Sequence, residues 1–171
     1  MAQILDDTDF LNGPLQIPLD GQEEIDFAIV IEEIEREYLA KLFGKDLYIL
    51  FKADVDANAG VPIIPRFVKV FEPFLEQPDS ILYDSVGMKE MLKAFVYYEY
   101  VKGLSTSLTT IGIKRTLGEN SENVSAIAHD ITIKYNRAVE TYCTIQWWMN
   151  DEDSDTYPEY KGVPIDFNHP Y

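Results

Sequence analysis

The chain has 171 residues, of which 46% are hydrophobic, and 30 acidic residues against 14 lysines and arginines give it a net charge of -16. This length and apolar content suit one folded domain that needs no disulfides. Phosphate affinity comes mainly from lysine and arginine, so the charge argues against a protein that grips nucleic acid over a broad surface or binds an anionic membrane.

The charge is distributed unevenly along the chain. Residues 1–35 contain ten acids and no base, residues 36–137 contain thirteen of each, and residues 138–171 contain seven acids and one base. The middle of the chain is therefore neutral, whereas both ends are acidic. Such ends repel polyanions such as nucleic acids.

The N-terminus bears three aspartates, Asp6, Asp7 and Asp9, where an export signal would carry lysine or arginine. The longest apolar run near it, Phe27–Ile31, is too short to cross a bilayer. The single cysteine, Cys143, has no second thiol with which to form an internal disulfide. We therefore expect a soluble protein that folds in a reducing cytoplasm.

Residues 1–19 contain one glycine and two prolines and show no sustained hydrophobic period, which predicts an extended N-terminal arm. A solvated, disordered terminus is the alternative. Asp20 and Glu23 then have the spacing of a capping box. Apolar residues three or four apart predict a core helix that Gly44 terminates, followed by a shorter helix over residues 47–55. The face of the first helix comprises Phe27, Val30, Ile31, Ile34, Tyr38 and Leu42.

Prolines and glycines punctuate residues 56–78 and leave room for one short helix, near Arg66–Phe71. Beyond it, Phe74 and Leu75 are expected to face Ile81–Tyr83 across a turn, as a small β-hairpin. These short elements lead into the longest periodic segments of the chain.

Two long segments, Ser85–Leu104 and Ser125–Met149, have the period of amphipathic helices. Side-chain oxygens of Asp84 or Ser85, and of Ser125, are suited to accept hydrogen bonds from the first-turn amides, so each segment has a start signal. The stripes comprise Met88, Met91, Leu92, Phe95, Tyr98 and Lys102 in the first segment and Ile127, Ile131, Tyr135, Ala138, Tyr142, Ile145 and Met149 in the second. Burial of one large apolar side chain contributes roughly 1.5–3 kcal/mol, so the two helices are predicted to form a hairpin and the main core.

The connector between the long helices, residues 105–124, is rich in serine, threonine and branched aliphatics and is predicted to be extended or β-like. The stretch Tyr100–Gly118 contains no acid but includes Lys102, Lys114 and Arg115. Long connectors between antiparallel helices are uncommon unless they are functional or disordered. A flexible linker is one interpretation, but it would leave several aliphatic side chains in water. We favour a projecting arm that docks on another subunit, so that Lys114 and Arg115 meet the acidic ends of that subunit.

The chain is thus divided into an extended N-terminal arm (1–19), a helical domain (20–150) with the projecting arm (105–124), and an acidic, aromatic C-terminal tail (151–171). Aromatic residues in such a tail more often dock on a neighbouring surface than remain in water. The predicted fold class is mainly α, a helical bundle with a long helical hairpin, a β-like arm between the two long helices, and extended terminal segments.

Two segments resemble calcium-binding loops without completing the pattern. Asp54, Asp56 and Asn58 alternate as ligands would, but Pro65 stands where the bidentate glutamate belongs, and an alternation at residues 151–155 also lacks that glutamate. The two histidines stand forty residues apart without metal-ligand spacing, and neither a nucleophile elbow nor a phosphate-binding glycine loop is present. We therefore predict no catalytic residue, no metal site and no cofactor.

Segments in and around the arm resemble a known family. They are Phe-Val-Tyr-Tyr-Glu-Tyr-Val at 95–101, Thr-Thr-Ile-Gly-Ile-Lys at 109–114, Gly-Glu-Asn-Ser at 118–121, and a following helix with Tyr135 and Asn136. These sequence segments resemble those of the head-to-tail connector, or neck adaptor, proteins of tailed bacteriophages, and in particular those of the ring proteins of crAss-like phages. The sequence similarity covers residues 93–123, and the predicted order of elements from Asp20 to Asn150 agrees with that of the family.

The resemblance implies a non-enzymatic structural protein, a helical bundle that assembles as a ring beneath the portal of the virion, at the neck, after synthesis in the host cytoplasm. Its partners would be further copies of the chain, the portal protein and adjacent neck or tail ring proteins, with no membrane contact. DNA would be only passing cargo, and an acidic channel lining would let it slide without sticking. The acidic ends would then line the channel or its mouth; the alternative is that they face outward, toward a basic partner.

In that family the arm contacts neighbouring subunits or rings. The resemblance therefore places seven residues at interfaces: Thr109, Thr110, Ile111, Lys114, Arg115, Glu119 and Asn120. A different non-enzymatic adaptor or phage interaction protein is the alternative function, and a small enzyme is a less favoured one.

Overall fold

The computed structural model describes residues 2–17, 21–78, 80–104, 106–109, 112–115 and 121–162. In chain order the elements are a 3-10 turn (Asp7–Phe10), α1 (Gly21–Ala57), α2 (Pro65–Phe71), β1 (Phe74–Glu76), β2 (Tyr83–Ser85), α3 (Met88–Leu104), β3 (Thr106–Thr109), β4 (Gly112–Arg115), α4 (Ser121–Trp147) and a π-helical turn (Trp148–Glu152). The predicted fold class, a mainly α bundle, is confirmed. The short helix predicted near Arg66–Phe71 is present as α2.

Helices α3 and α4 pack together more extensively than any other pair of described elements and form the predicted helical hairpin. Most residues of the two predicted stripes are buried: Met88, Met91, Leu92 and Phe95 on one side and Tyr135, Ala138, Tyr142, Ile145 and Met149 on the other. The ring of Phe95 meets Tyr135 and Tyr142 edge-on, the geometry that aromatic pairs prefer. The main core therefore lies where the hydrophobic period predicts it.

Helix α1 changes direction in its middle. Gly44 has φ +70° and ψ 171°, a left-handed conformation that favours glycine, and the predicted break at this residue is confirmed. Residues 21–43 form a first limb and residues 45–57 a second limb. Glu32 and Val55 line the same small cavity, although a straight helix would hold them about 35 Å apart at a rise of 1.5 Å per residue. The second limb therefore folds back along the first.

The predicted start of α3 is wrong. Asp84 and Ser85 do not cap this helix, because both belong to β2, which pairs antiparallel with β1. The carboxylate of Asp84 binds Arg137 of α4 at 2.6 Å. Cross-strand hydrogen bonds and this ion pair thus outweigh the local capping signal. The predicted hairpin is present, but Ile81 and Leu82 lie in its connecting turn and not in its strand.

The bounds of α4 also differ from the prediction. The helix begins at Ser121, earlier than the expected Ser125, so the arm is shorter than its predicted range. At its other end the α-helix gives way to the π-helical turn, where the Trp148 ring packs 5.4 Å from that of Phe74. The neighbouring Trp147 is half exposed. The two adjacent tryptophans thus point in different directions, and one of them stabilises the β1–β2 hairpin.

Residues 2–17, which we call the N-terminal strap, lie across the bundle. The strap buries a set of apolar side chains against the helices: Ile4, Leu5, Phe10, Leu15 and Ile17. The ring of Phe10 meets Phe27 of α1 edge-on at 5.0 Å between centroids. Polar contacts reinforce this packing, because Asp9 pairs with Lys89 of α3 at 2.8 Å and Lys134 of α4 donates to the Pro14 carbonyl at 3.0 Å. The N-terminal segment is therefore part of the folded core.

The described part of the C-terminal tail, through residue 162, folds back on α2. Tyr157 is buried, and its hydroxyl donates to the carbonyl of Arg66 at 2.6 Å. The guanidinium of Arg66 in turn donates to both carboxylate oxygens of Glu159, at 2.8 and 3.3 Å, and to the carbonyl of Thr156. Tyr157 thus anchors the described part of the tail to its own chain. Phe167 and Tyr171, the aromatic residues at the end of the tail that are expected to dock on a neighbour, lie outside the described residues.

Candidate protein-interaction site

The arm between α3 and α4 is an antiparallel β-hairpin. Its register pairs Thr106 with Arg115, Ser107 with Lys114, Leu108 with Ile113 and Thr109 with Gly112. Threonine and isoleucine favour extended backbone, which agrees with the predicted β-like character of the connector. The hairpin brings Thr109, Lys114 and Arg115 of the predicted interface into one element. The other predicted interface residues, Thr110, Ile111, Glu119 and Asn120, lie outside the described residues.

Within the described part of the chain, the arm has few contacts with the bundle. Its two strands contact each other and the adjoining end of α3, while no comparable contact joins them to α1, α2 or α4. A two-stranded hairpin without further packing is at best marginally stable in water. Each outer edge of such a hairpin also presents backbone groups that seek hydrogen-bond partners. The geometry therefore suits an element that is completed by another molecule.

The electrostatics of the arm differ from those of the remaining chain. The stretch from Tyr100 to Gly118 has three bases and no acid, whereas the whole molecule has a net charge of -16. Opposite charges on two surfaces increase the rate of association and suppress wrong partners. Lys114 and Arg115 therefore favour an acidic docking partner.

A second exposed feature is the segment between α1 and α2, residues 58–65, which we call the proline loop. The buried carboxylate of Asp54 accepts hydrogen bonds from the amides of Ile63 and Ile64, both at 3.0 Å. The side-chain amide of Asn58 donates to Asp54 at 3.0 Å and holds the carboxylate in position. Pro62 and Pro65 further restrict the backbone. The loop is therefore held in one conformation.

The proline loop presents apolar side chains to solvent. Val61 is 51% exposed, Ile63 is 66% exposed and Ile64 is 42% exposed. Gly60 has φ +90°, and a Cβ at this position would lie 2.3 Å from the carbonyl oxygen of Gln3, so the loop also fits closely against the N-terminal strap. Adjacent exposed aliphatic residues on a fixed backbone are typical of protein-interaction sites.

The sequence does not predict the proline loop as an interaction site. Asp54 and Asn58 belong there to an incomplete calcium-loop pattern, and Pro62 and Pro65 only indicate a break between helices. The available signal is the pair of prolines that brackets two isoleucines, since a chain stiffened at both sides cannot easily turn its aliphatic side chains inward.

The carboxylates that mimic calcium loops have other partners. Asp54 binds the proline loop, and Asp56 pairs with Lys52 at 2.9 Å and accepts from the amide of Ala2. In the second alternation, Asp153 accepts from the hydroxyl of Thr156 at 2.7 Å. Among the described residues, no group of three or more His, Cys, Asp or Glu side chains is arranged to hold a metal ion. In the same residues, no helix combines the length and hydropathy that a bilayer crossing requires.

The most perturbed carboxylate is Glu35 of α1. It is buried and accepts hydrogen bonds from the amides of Leu5 at 2.6 Å and Ile4 at 3.2 Å. Burial raises the pKa of Glu35 to about 7, although the two amides and Lys52 oppose that shift. The cavity beside it measures only about 30 Å³, room for a water molecule but not for a substrate. Glu35 therefore fixes the N-terminal strap and is not placed for catalysis.

A larger groove, of about 330 Å³, lies between the strap and helices α3 and α4. Its cationic groups have protein partners. Lys134 donates to Pro14, and Arg137 binds Asp84 at 2.6 Å and Glu140 at 3.2 Å. These contacts hold structural elements together, so the groove does not combine a nucleophile, a base and a free cation in the manner of an active site.

The geometry thus offers two features suited to protein contacts, the basic arm and the apolar proline loop. Comparison with known proteins adds no identity to this description: no protein-family model, no curated protein and no solved structure matches the chain.

Proposed function

We propose that the chain is a structural protein of a tailed-bacteriophage virion, the subunit of a head-to-tail connector ring that lies beneath the portal and through which DNA passes. The observation that carries this proposal is the arm, a β-hairpin that, among the described elements, makes its main contact with its own bundle at the end of α3. The sequence resemblance over residues 93–123 supports the same function. The arm would contact neighbouring copies of the chain, and the portal and adjacent ring proteins would bind above and below.

The charge distribution is compatible with a DNA channel. Residues 1–35 contain ten acids and no base, and such a surface repels phosphate instead of binding it. A ring with an acidic lining would let DNA slide through during packaging and ejection. In this proposal the acidic ends line the channel or its mouth, and the protein moves from the host cytoplasm, where it is made, to the neck of the virion.

Charge reversal in the arm tests the proposal. Lys114→Glu combined with Arg115→Glu should abolish association with further copies or with a portal protein, because it places like charges against an acidic partner. The matched control is Lys41→Glu combined with Lys45→Glu, which causes the same change in net charge at two exposed positions of α1. Particle mass by light scattering, at several salt concentrations and with and without a candidate portal protein, is the measurement.

Association that survives the arm variant unchanged would remove the arm from the proposal. A wild-type chain that remains a monomer or dimer, and whose arm gains protection only with some other partner, would favour the alternative of a different adaptor. Turnover of a small molecule by the purified chain would contradict both.

A further inference from the structure

We propose that the proline loop is the receptor for the arm of a neighbouring copy of the chain, so that successive subunits are joined by an arm-to-loop contact. This inference rests on the proposed function, since it concerns the contact that closes the ring. A contact between two different surfaces of identical subunits is heterologous, and it generates a ring when the rotation between subunits closes.

The first argument is the fixed apolar surface of the loop. Val61, Ile63 and Ile64 are exposed, and the bonds from Asp54 to the amides of the two isoleucines hold the backbone in one conformation. The buried carboxylate of Asp54 thus stabilises a backbone conformation in which the aliphatic side chains are exposed to solvent. A preorganised surface binds a partner with a smaller loss of conformational entropy than a mobile one.

The second argument is the acidic segment beside the loop. Arg66 follows the proline loop directly and holds the turn after α4 through the carbonyl of Thr156 and the carboxylate of Glu159. This turn also contains Asp153 and Asp155, of which Asp155 is exposed. The proline loop and this acidic turn are therefore joined through Arg66.

The third argument is the composition of the arm, which is complementary to this surface. Leu108 and Ile113 are paired in its register, and Lys114 and Arg115 follow in β4. Both termini of a second copy are acidic and would be repelled, whereas the arm belongs to the acid-free stretch Tyr100–Gly118. Among the segments of a second copy, the arm thus has the aliphatic and basic residues that this surface requires.

The inference is tested by placing a charge in the loop. Ile63→Lys should raise the protein concentration needed for half-assembly at least about tenfold, because it replaces an apolar contact with a charge of the same sign as the arm. Leu82→Lys is the matched control, because Leu82 is also an aliphatic residue, 57% exposed, but lies in the β1–β2 turn. Particle mass is measured together with the melting temperature of each variant.

Normal assembly of Ile63→Lys, while the arm charge reversal still abolishes assembly, would overturn the inference and leave the proposed function intact. Normal assembly with a lowered melting temperature would identify a cover from the same chain, such as residues 163–171, and would also overturn it. A wild-type chain that never assembles, with or without a portal protein, would remove the proposed function and this inference together.

A crosslink provides the second, positional test. In a Cys143→Ser background, a chain with Thr106→Cys in the arm, two residues before Leu108, is mixed with a chain carrying Ile63→Cys in the loop, assembled and then oxidised. The expected product is a disulfide-linked pair of the two different chains. Replacing Ile63→Cys by Leu82→Cys should eliminate that product. An assembled ring that yields no arm-to-loop disulfide would overturn the inference.

Discussion

Two of the segments that lie outside the α-helices, the N-terminal strap and the arm, behave in opposite ways. The N-terminal strap, residues 2–17, inserts Leu5 and Phe10 into the core and receives hydrogen bonds from the bundle. The arm, residues 106–109 and 112–115, makes its main contacts within itself and with the end of α3 among the described elements. Neither segment has a helical hydrophobic period. The absence of that period therefore does not decide whether a segment packs into its own fold.

The difference arises from what each segment meets. The bundle has a binding site for the strap, because the Glu35 carboxylate accepts hydrogen bonds from two strap amides and Phe27 packs against Phe10. Among the described elements the arm has no comparable receptor in its own bundle, and we propose that its bases meet an acidic partner. A segment whose receptor is in the same chain becomes core, whereas a segment without one is available to a second molecule.

The largest expected effect is in the strap. Phe10→Ala should lower the free energy of unfolding by about 3–5 kcal/mol, since it removes a fully buried ring and leaves a cavity. Thr109→Ala, the corresponding truncation in the arm, should change it by no more than about 0.5 kcal/mol. Urea unfolding measures both. Equal effects of the two substitutions would erase the distinction between the segments.

The next effect concerns the pH dependence of the strap. The pKa of Glu35 in the folded chain, about 7, lies above its ordinary value of 4.5, so the folded state binds the proton more tightly. The resulting stabilisation is fully present below about pH 4.5 and is lost as the pH rises through 7, a change on the order of 3 kcal/mol. The negative charge of Asp9 favours the protonated form, and Lys52 opposes it.

Comparison of wild type with Glu35→Gln isolates this contribution from other titrating groups. The difference in unfolding free energy between the two proteins should shift in favour of Glu35→Gln as the pH increases from 5 to 8. In the wild type, the protection of the strap amides against hydrogen exchange should decrease as the pH increases from 5 to 8. A difference that does not vary with pH would mean that burial does not raise the pKa of Glu35.

A smaller effect is expected where the strap meets the proline loop. Gly60→Ala should destabilise the protein by roughly 1–3 kcal/mol, because the residue has φ +90° and the new Cβ would clash with the Gln3 carbonyl. Gly13→Ala is a matched control with the same φ and no atom within 4 Å of the added Cβ. Thermal unfolding of the pair separates the clash from backbone strain. If Gly13→Ala proves as destabilising as Gly60→Ala, the close approach of loop and strap has no energetic importance.

The smallest effect on the fold is expected in the arm itself. Lys114→Glu combined with Arg115→Glu should leave the unfolding free energy within about 0.5 kcal/mol of the wild type, since surface substitutions away from packed features rarely exceed that. Circular dichroism and denaturant unfolding of the monomer are the checks. A large loss of stability would show that the arm belongs to the core of its own chain.

Helical periodicity predicts the elements of this fold better than their arrangement. The stripes that contain Phe95 and Tyr142 are buried as predicted, and Gly44 breaks α1 as predicted, because both signals are local. The return of the second limb along the first is not predictable from the same pattern. It depends on contacts between residues about twenty positions apart, such as those around the cavity that Glu32 and Val55 share.

Long-range partners also explain where sequence reasoning fails. Asp84 has the sequence position of a helix cap, but Arg137, more than fifty residues later, binds its carboxylate. The strap contains no periodic pattern, and its burial depends on hydrogen bonds to Glu35. The residues near Glu35 in the sequence do not indicate that it binds the strap. The candidate interface is predicted in part, because the absence of acids in the arm is visible in the sequence, whereas the exposure of Ile63 and Ile64 depends on Asp54.

The central claim is that the bundle is complete in itself and that the arm is completed by another protein molecule. Amide hydrogen exchange of residues 106–109 and 112–115, in the free subunit and in the assembled ring, tests it most directly. We expect fast exchange in the free subunit and at least about tenfold slower exchange after assembly, with no change in α3 and α4. Arm amides as protected as those of α3 in the free subunit, or unchanged by assembly, would contradict the claim.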